Sequence, residues 1–187
     1  MAVTTPIART PATDPADAPL DTFSQCHAGI LSNLQRFGEL PALLEPAAKA
    51  RQIATDMLTF FRDAVFEHHI DEERELFPAV LASATQGDEH DLVQLMVDRL
   101  TKQHRELEGL WKRLEPGLRK VAKGQPSDVS VEKIEQLVTQ YRVHAEFEER
   151  EFLPLSQAIL GRNANHLSAL GLSLHMRHTP SPVKGYV

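Results

Sequence analysis

HHIDEERELFP at residues 68–78 and HAEFEEREFLP at residues 144–154 are two versions of one motif, and this repeat is the strongest indication of the fold. When the two prolines are aligned, His68 falls on His144 and Glu72 falls on Glu148. A histidine and a glutamate four residues apart lie one turn from each other on the same face of a helix. Two such helices that face each other bring two imidazoles and two carboxylates to one point. This is how a dinuclear metal site is built inside a helical bundle.

The repeat extends beyond the motif itself. His27 precedes the first motif and His104 precedes the second, at nearly the same distance. Each half of the chain is therefore predicted to form one helix with a single histidine, followed by one helix with His-x-x-x-Glu. Such an order indicates an internal pseudo-twofold, and a repeat of this kind constrains the whole fold.

Composition restricts the class of protein. A chain of 187 residues with 42% hydrophobic and 25% charged residues is typical of one soluble globular domain with a substantial core. The net charge of −6 argues against nucleic acid and anionic membrane surfaces as partners. The single cysteine, Cys26, excludes an intramolecular disulfide and fits a reducing compartment. Because we find neither a membrane-spanning run nor a secretory signal, we expect a cytoplasmic protein.

Three regions are expected along the chain: a disordered lead at residues 1–18, a helical bundle at residues 19–160, and a short fifth helix with an extended tail at residues 161–187. For the tail we keep two roles open, which are covering one end of the bundle and contacting a second copy in a homodimer.

The first two helices of the bundle are separated by helix-breaking residues. The first is predicted from about Leu20 to Phe37, because Gly38 and Pro41 are expected to stop it. The second is predicted to start near Pro46 and to kink or end at Pro78.

The third and fourth helices follow from apolar spacing. The third has a 4-3-4-3 pattern typical of a packed bundle, at Val93, Val97, Leu100, His104, Leu107, Trp111 and Leu114. The fourth has a comparable stripe, at Val131, Ile134, Leu137, Tyr141, His144, Glu148, Phe152, Leu155 and Ile159. Short connections between four helices predict an all-α, up-down-up-down antiparallel four-helix bundle.

The candidate metal ligands are the inward-facing histidines and glutamates of the repeat: His27, His68, Glu72, His104, His144 and Glu148. His69 and Glu73 are also four residues apart and offer an alternative register. Their counterparts are Ala145 and Glu149, so this second pair does not repeat. We therefore interpret Glu73 as a solvated surface charge and keep His69 as a secondary candidate.

The donor set indicates the kind of metal. Four imidazoles and two carboxylates, without a thiolate, favour iron and leave manganese and zinc as alternatives. Two histidines per metal and two bridging glutamates leave coordination positions open, where a small diatomic molecule could bind. The competing interpretation is a buried ion-pair cluster that binds no metal.

The paired His-x-x-x-Glu-Glu motifs, each followed by Pro, together with single histidines on the first and third helices, resemble the hemerythrin-like family, also called the haemerythrin HHE cation-binding domain. The resemblance covers about Leu20 to Leu160. It implies a four-helix bundle with two non-haem iron ions bridged by carboxylates and an oxo or hydroxo group. By position, the six residues given above would be the ligands. The family's oxygen carriers have a further histidine in a His-x-x-x-His pair on the third helix. Here the positions four residues before and after His104 are Leu100 and Glu108, so this histidine is missing.

The resemblance implies two classes of function. The first is a binding protein that takes up oxygen, nitric oxide or iron itself, in a sensing, scavenging or storage role. The second is a di-iron oxidoreductase or a protein that repairs iron–sulfur centres. Oxygen-activating di-iron enzymes commonly use more carboxylates, so the histidine-rich set favours binding over catalysis.

Overall fold

The structure of the protein, a computed structural model, describes residues 18–162, with side chains from residue 25 onward. The helices are α1 (Ala18–Phe60), α2 (Phe66–Asp71), α3 (Phe77–Ser83), α4 (Asp88–Ala122), α5 (Val131–Phe147) and α6 (Leu153–Leu160). Three π-helical turns, Phe61–Val65, Glu72–Leu76 and Glu148–Phe152, join some of these helices into longer stretches. The predicted N-terminal lead, the fifth helix and the C-terminal tail lie outside the described residues.

The all-α class is confirmed for the described residues, which contain no strand. The arrangement is consistent with a helical bundle of the hemerythrin type, while the four-helix up-down order stays a prediction. The chain divides into two compact units, Met1–Lys49 and Ala50–Val187, and the division falls within α1. No helix in residues 18–162 is long and apolar enough to cross a membrane.

The predicted end of the first helix at Gly38 and Pro41 is wrong, because α1 continues through Gly38, Pro41 and Pro46 without a break. A proline inside a helix costs about 3 kcal/mol, chiefly through a lost backbone hydrogen bond and a steric clash. Residues 37–46 are exposed, so the carbonyl groups that lose a partner can bond to water. The glycine and the prolines favour a break in the helix, but the leucines and alanines around them favour its continuation.

The repeated motif produces the same backbone feature twice. A π-helical turn begins at Glu72, and another begins at Glu148. In these turns the Phe77 N–H donates to the Glu72 carbonyl, and the Leu153 N–H donates to the Glu148 carbonyl. Each turn precedes a proline, and the wider turn accommodates the missing proline N–H without ending the helix. The predicted end of the helix at Pro78 is wrong, because the helix continues through a π-helical turn to Ser83. The alternative, a kink at this proline, stays a prediction.

The core of the second unit has two apolar clusters, and α4 contributes to both. One contains Val93, Val97 and Leu100 of α4 together with Phe77 and Phe152. The other contains four further α4 residues and is centred on the ring of Trp111, which stacks on Phe61 with 3.9 Å between ring centroids. The predicted apolar face of the third helix is confirmed, since every residue named for it is buried. His104 lies on this face between the two clusters.

Candidate metal centre

The backbone brings the repeated motifs to the middle of the second unit. The two π-helical turns start at Glu72 and Glu148, while His104 comes from α4 and His144 from the last turn of α5. One donor atom from each of these four residues lies within 4.8 Å of the others, and all four residues are buried. Four of the six predicted ligands therefore meet at one point, and π-helical turns are frequent at such functional positions.

The Glu72 carboxylate lies between a histidine of its own helical stretch and a histidine of α4. Its Oε1 lies 3.4 Å from Nε2 of His68, and its Oε2 lies 3.3 Å from Nε2 of His104. In the second motif, Nε2 of His144 lies 3.5 Å from Oε2 of Glu148. The His68–Glu72 and His144–Glu148 pairs thus have closely similar distances, as the sequence repeat requires of equivalent positions.

The adjacent histidines of the first motif differ in environment. His69 is buried, its ring stacks on His104 with 3.9 Å between centroids, and it forms a second possible ligand group with His104 and His144. The side chain of His68 is 44% exposed. The structure therefore places the secondary candidate inside the cluster and the preferred candidate at its edge, in contact with Glu72.

His27 lies in the first unit, where its side chain is exposed. It does not belong to either group of possible ligands found among the described residues. Its role as a ligand stays a prediction from the repeat.

Two side chains orient the central imidazoles. The Nδ1–H of His104 donates to Oε1 of Glu73 at 2.8 Å, and the Nδ1–H of His144 donates to Oε1 of Gln103 at 3.3 Å. In both rings Nε2 then carries the free lone pair and points to the carboxylates. Partners of this kind fix the tautomer and the ring orientation of metal-binding histidines.

Glu73 corrects the sequence analysis, which interpreted it as a solvated surface charge. It is partly buried and contacts both His104 and the guanidinium of Arg105, which also bonds to Glu108 at 2.7 Å. The repeat gave no sign of this role, because its counterpart Glu149 is exposed. Gln103 was not predicted either. It orients an imidazole on a different helix, and a single contact between helices leaves no repeating pattern in the sequence.

Burial shapes the protonation of the cluster. Loss of water, followed by the neighbouring His104, lowers the pKa of His69 to about 2 and that of His144 to about 4. Both imidazoles are therefore neutral at pH 7, the form that binds metals. Burial and then the Glu72 carboxylate raise the pKa of Glu148. Burial also acts to raise the pKa of Glu72, but His104 and His68 outweigh it, so that this pKa is lowered.

The polar atoms at the centre fit a metal ion. Atoms of five buried residues lack a hydrogen-bond partner: both ring nitrogens of His69, Oε2 of Glu72, Nε2 of His104, Nε2 of His144 and Oε1 of Glu148. Such atoms are costly to bury unless a cation or another polar group satisfies them. Imidazole nitrogens and carboxylate oxygens are ligands that suit iron, manganese or zinc. The residues present therefore fit a buried metal site.

The orientation of His104 can be tested through Glu73. We expect Glu73→Gln to lower metal affinity by roughly 10–100-fold, as is typical when the partner of a metal-binding histidine is changed. Metal competition with a chromophoric chelator measures this. Glu149→Gln is the matched control, because Glu149 occupies the equivalent, exposed position of the second motif. Equal affinities of the two variants would contradict the role of Glu73.

Metal-free protein should be most stable near pH 6.5. Below this value the unfolded chain protonates His69 and His144, whose pKa values are lowered in the folded state, so stability falls with falling pH. Glu148 acts in the opposite direction, because its raised pKa lets the folded state keep a proton that the unfolded state has lost. Between pH 4.5 and 6.5 the effect of the two histidines is larger than that of the one glutamate, so stability rises with pH. Above pH 6.5 only the effect of Glu148 is left, and stability falls with rising pH.

Each proton that one of the two states binds and the other does not changes the free energy of unfolding by about 1.4 kcal/mol per pH unit. Urea denaturation of the chelated protein at pH 5, 6.5 and 8 measures the profile. Glu148→Gln should abolish the decline above pH 6.5 and make stability rise more steeply between pH 4.5 and 6.5, because no glutamate then opposes the two histidines. Stability that rises steadily to pH 8 in the unsubstituted protein would contradict the raised pKa of Glu148.

Comparison with known proteins agrees with this site. A protein of Haemophilus influenzae, described as an uncharacterized protein, is 29% identical over 158 residues, which cover 81% of this chain and 88% of that protein. No solved structure matches the chain significantly. The family model described as the hemerythrin HHE cation binding domain matches residues 18–156, which include both motifs and all the buried histidines and glutamates of the centre. The chain therefore belongs to the hemerythrin HHE cation-binding domain family.

Proposed function

We propose that the protein holds two non-haem iron ions and binds oxygen, nitric oxide or the iron itself in a sensing, scavenging or storage role. The proposed ligands are His27, His68, Glu72, His104, His144 and Glu148. When bound, an iron pair with unfilled coordination positions supplies a redox-active centre that accepts a small diatomic molecule. The observation that carries the proposal is the set of buried donor atoms without hydrogen-bond partners at the centre.

The residues around the centre support binding in three ways. Glu72 contacts histidines of two helical stretches and is suited to bridge two cations. Glu73 and Gln103 hold the rings of His104 and His144 with Nε2 directed inward. Apolar side chains on either side, Leu100 and Leu107, limit the access of water along α4. A dry site strengthens the interaction between cation and carboxylate.

Binding is favoured over turnover by the donor set. The four central residues offer two imidazoles and two carboxylates, and the predicted additions, His27 and His68, are both imidazoles. Neither of the buried groups of possible ligands in the described chain contains a third carboxylate. Oxygen-activating di-iron enzymes in helical bundles draw on a larger number of glutamates.

Metal analysis tests the proposal. Protein produced with ample iron should contain about two iron ions per chain and show charge-transfer bands in the near ultraviolet and visible. Chelation should lower its melting temperature, because a metal bound only by the native state stabilises that state. A colourless protein whose melting temperature is unchanged by chelation would instead indicate an ion-pair cluster without metal.

Exposure of the reduced, iron-loaded protein to oxygen or nitric oxide distinguishes the roles. A spectrum that changes with the gas and returns when the gas is removed is expected for a binding or sensing protein. Irreversible oxidation, or multiple turnovers with a reductant present, would favour the oxidoreductase alternative.

A further inference from the structure

We propose that Arg105 is a positioning residue that holds the Glu73 carboxylate against His104, and that Arg105 and Glu73 together set the reduction potential of the metal centre. Because the potential is that of bound iron, this role rests on the proposed function. The hydrogen bonds behind His104 are present in the metal-free protein, and all of them join residues of the second unit.

Three side chains form a line of hydrogen bonds behind His104. Oε1 of Glu73 accepts the Nδ1–H of His104 at 2.8 Å, and Oε2 of the same carboxylate accepts from Nη2 of Arg105. The other terminal nitrogen of Arg105, Nη1, donates to Oε1 of Glu108 at 2.7 Å. Both oxygens of Glu73 are therefore engaged, one by the imidazole and one by the guanidinium. The carboxylate can turn away from His104 only by leaving Arg105.

The positions of these residues in the helices explain how Arg105 reaches two carboxylates. Arg105 follows His104 on α4, and Glu108 lies one turn further along the same helix. Glu73 comes from the π-helical turn that begins at Glu72. A guanidinium is always charged and presents its N–H groups in a rigid planar fork, so it can hold two carboxylates at once. Its contact with Glu108 fixes the guanidinium, which in turn fixes Glu73.

The other central imidazole has a weaker partner. Nδ1 of His144 donates to Oε1 of Gln103 at 3.3 Å, and this oxygen belongs to a neutral amide. The side chains of His104 and His144 are only 0% and 1% exposed, so water does not compete for either hydrogen bond. A hydrogen bond to an ionised acceptor is roughly twice as strong as one between neutral groups. Of the two rings, His104 is therefore the stronger electron donor.

A stronger donor favours the more highly charged state of a metal ion. A carboxylate that accepts the Nδ1–H of an imidazole increases the donor strength of Nε2 in the same ring. The negative charge of Glu73 also attracts a ferric ion more strongly than a ferrous ion, and this attraction is weakly screened at a buried site. Both effects stabilise the oxidised centre, so that Glu73 lowers the reduction potential.

Optical redox titration of the full-length protein at saturating iron tests the role of Glu73. Glu73→Gln should raise the midpoint potential by about 59 mV or more, which corresponds to a tenfold or greater loss of preference for ferric over ferrous iron. Gln103→Glu should lower the potential, because it gives His144 a charged partner as well. Glu149→Gln, at the exposed equivalent position, is the control and should leave the potential unchanged. An unchanged potential in Glu73→Gln would overturn the proposal.

Variants of Arg105 distinguish positioning from a direct effect of its charge, because the two effects have opposite signs. Loss of a positive charge near the metal, by itself, stabilises the oxidised centre and lowers the potential. Loss of a positioning residue releases Glu73 from His104, so we expect Arg105→Gln to raise the potential, as Glu73→Gln does. A lower potential in Arg105→Gln would refute the positioning role.

Two further variants complete this comparison. Arg105→Lys keeps the charge but lacks the fork that spans two carboxylates, so its potential should lie between those of Arg105→Gln and the unsubstituted protein. Lys102→Gln is the matched control, because Lys102 is an exposed cation two residues from His104 on the same helix. Its charge is screened by solvent, so its removal should lower the potential only slightly. A rise in Lys102→Gln equal to that in Arg105→Gln would contradict a specific role of Arg105.

Proton NMR of the isotope-labelled, metal-free protein separates this role from the proposed function. The Nδ1 proton of His104 should resonate further downfield than that of His144, because its acceptor is charged. The difference should be lost in Glu73→Gln and reduced in Arg105→Gln. Equal resonances in the unsubstituted protein would refute the proposal. If the difference is present but the protein holds no iron, the proposed function and the effect on potential fail, while the positioning of Glu73 by Arg105 stands.

Discussion

Replacement of Glu148 with glutamine should remove most of the bound metal and yet stabilise the metal-free protein above pH 7. In the proposed metal-loaded state the carboxylate is a ligand, and its loss should lower affinity by more than the roughly 10–100-fold typical of an outer partner. In the metal-free state the same carboxylate is buried beside Glu72, and both effects raise its pKa. A neutral amide of equal size avoids the cost of ionising this group.

The expected loss of metal and the expected gain in stability of the metal-free protein together distinguish a metal site from a structural ion-pair cluster. Melting temperatures of Glu148→Gln and of the unsubstituted protein, each with iron and with chelator at pH 8, provide the comparison. Glu72→Gln should also lose metal, since Glu72 contacts histidines of two helical stretches. Glu151→Gln is the control because Glu151 is exposed in the same π-helical turn. Full metal retention in Glu148→Gln would refute the proposed ligand set.

The second large effect concerns the two adjacent histidines. We expect His68→Ala to lose most of the metal and His69→Ala to retain it. His68 and Glu72 have nearly the same separation as His144 and Glu148, whereas the counterpart of His69 is Ala145. Because His69 is buried against His104, its replacement should instead lower the free energy of unfolding by about 1–3 kcal/mol through lost packing.

Iron content and urea denaturation of the two single variants measure these effects independently. His90→Ala serves as a control for general loss of an imidazole, because His90 is on α4 away from the motifs. Loss of metal in His69→Ala with retention in His68→Ala would assign the ligand to His69, which the structure groups with His104 and His144. The register inferred from the repeat would then be wrong.

Periodicity in the sequence was enough to predict the all-helical class, the family and the position of the candidate metal centre. These follow from periodicity: His-x-x-x-Glu occurs twice, and the buried face of α4 has a 4-3-4-3 spacing that local geometry translates directly into one side of a helix. His104, His144, Glu72 and Glu148 could be selected for that reason, and the structure brings these four together.

Other features were decided only by the tertiary structure. Glu73 and Gln103 orient the imidazoles through contacts between helices, and their repeat counterparts give no hint of this. The environment of His69 depends on which face of its helix meets α4, a rotation that two adjacent histidines cannot specify. The continuity of α1 through Pro41 and Pro46 reflects a balance between local helix breakers and helix-forming neighbours. A periodic pattern determines which side chains share one face of a helix. Which residues of two helices meet depends on packing, which the pattern does not encode.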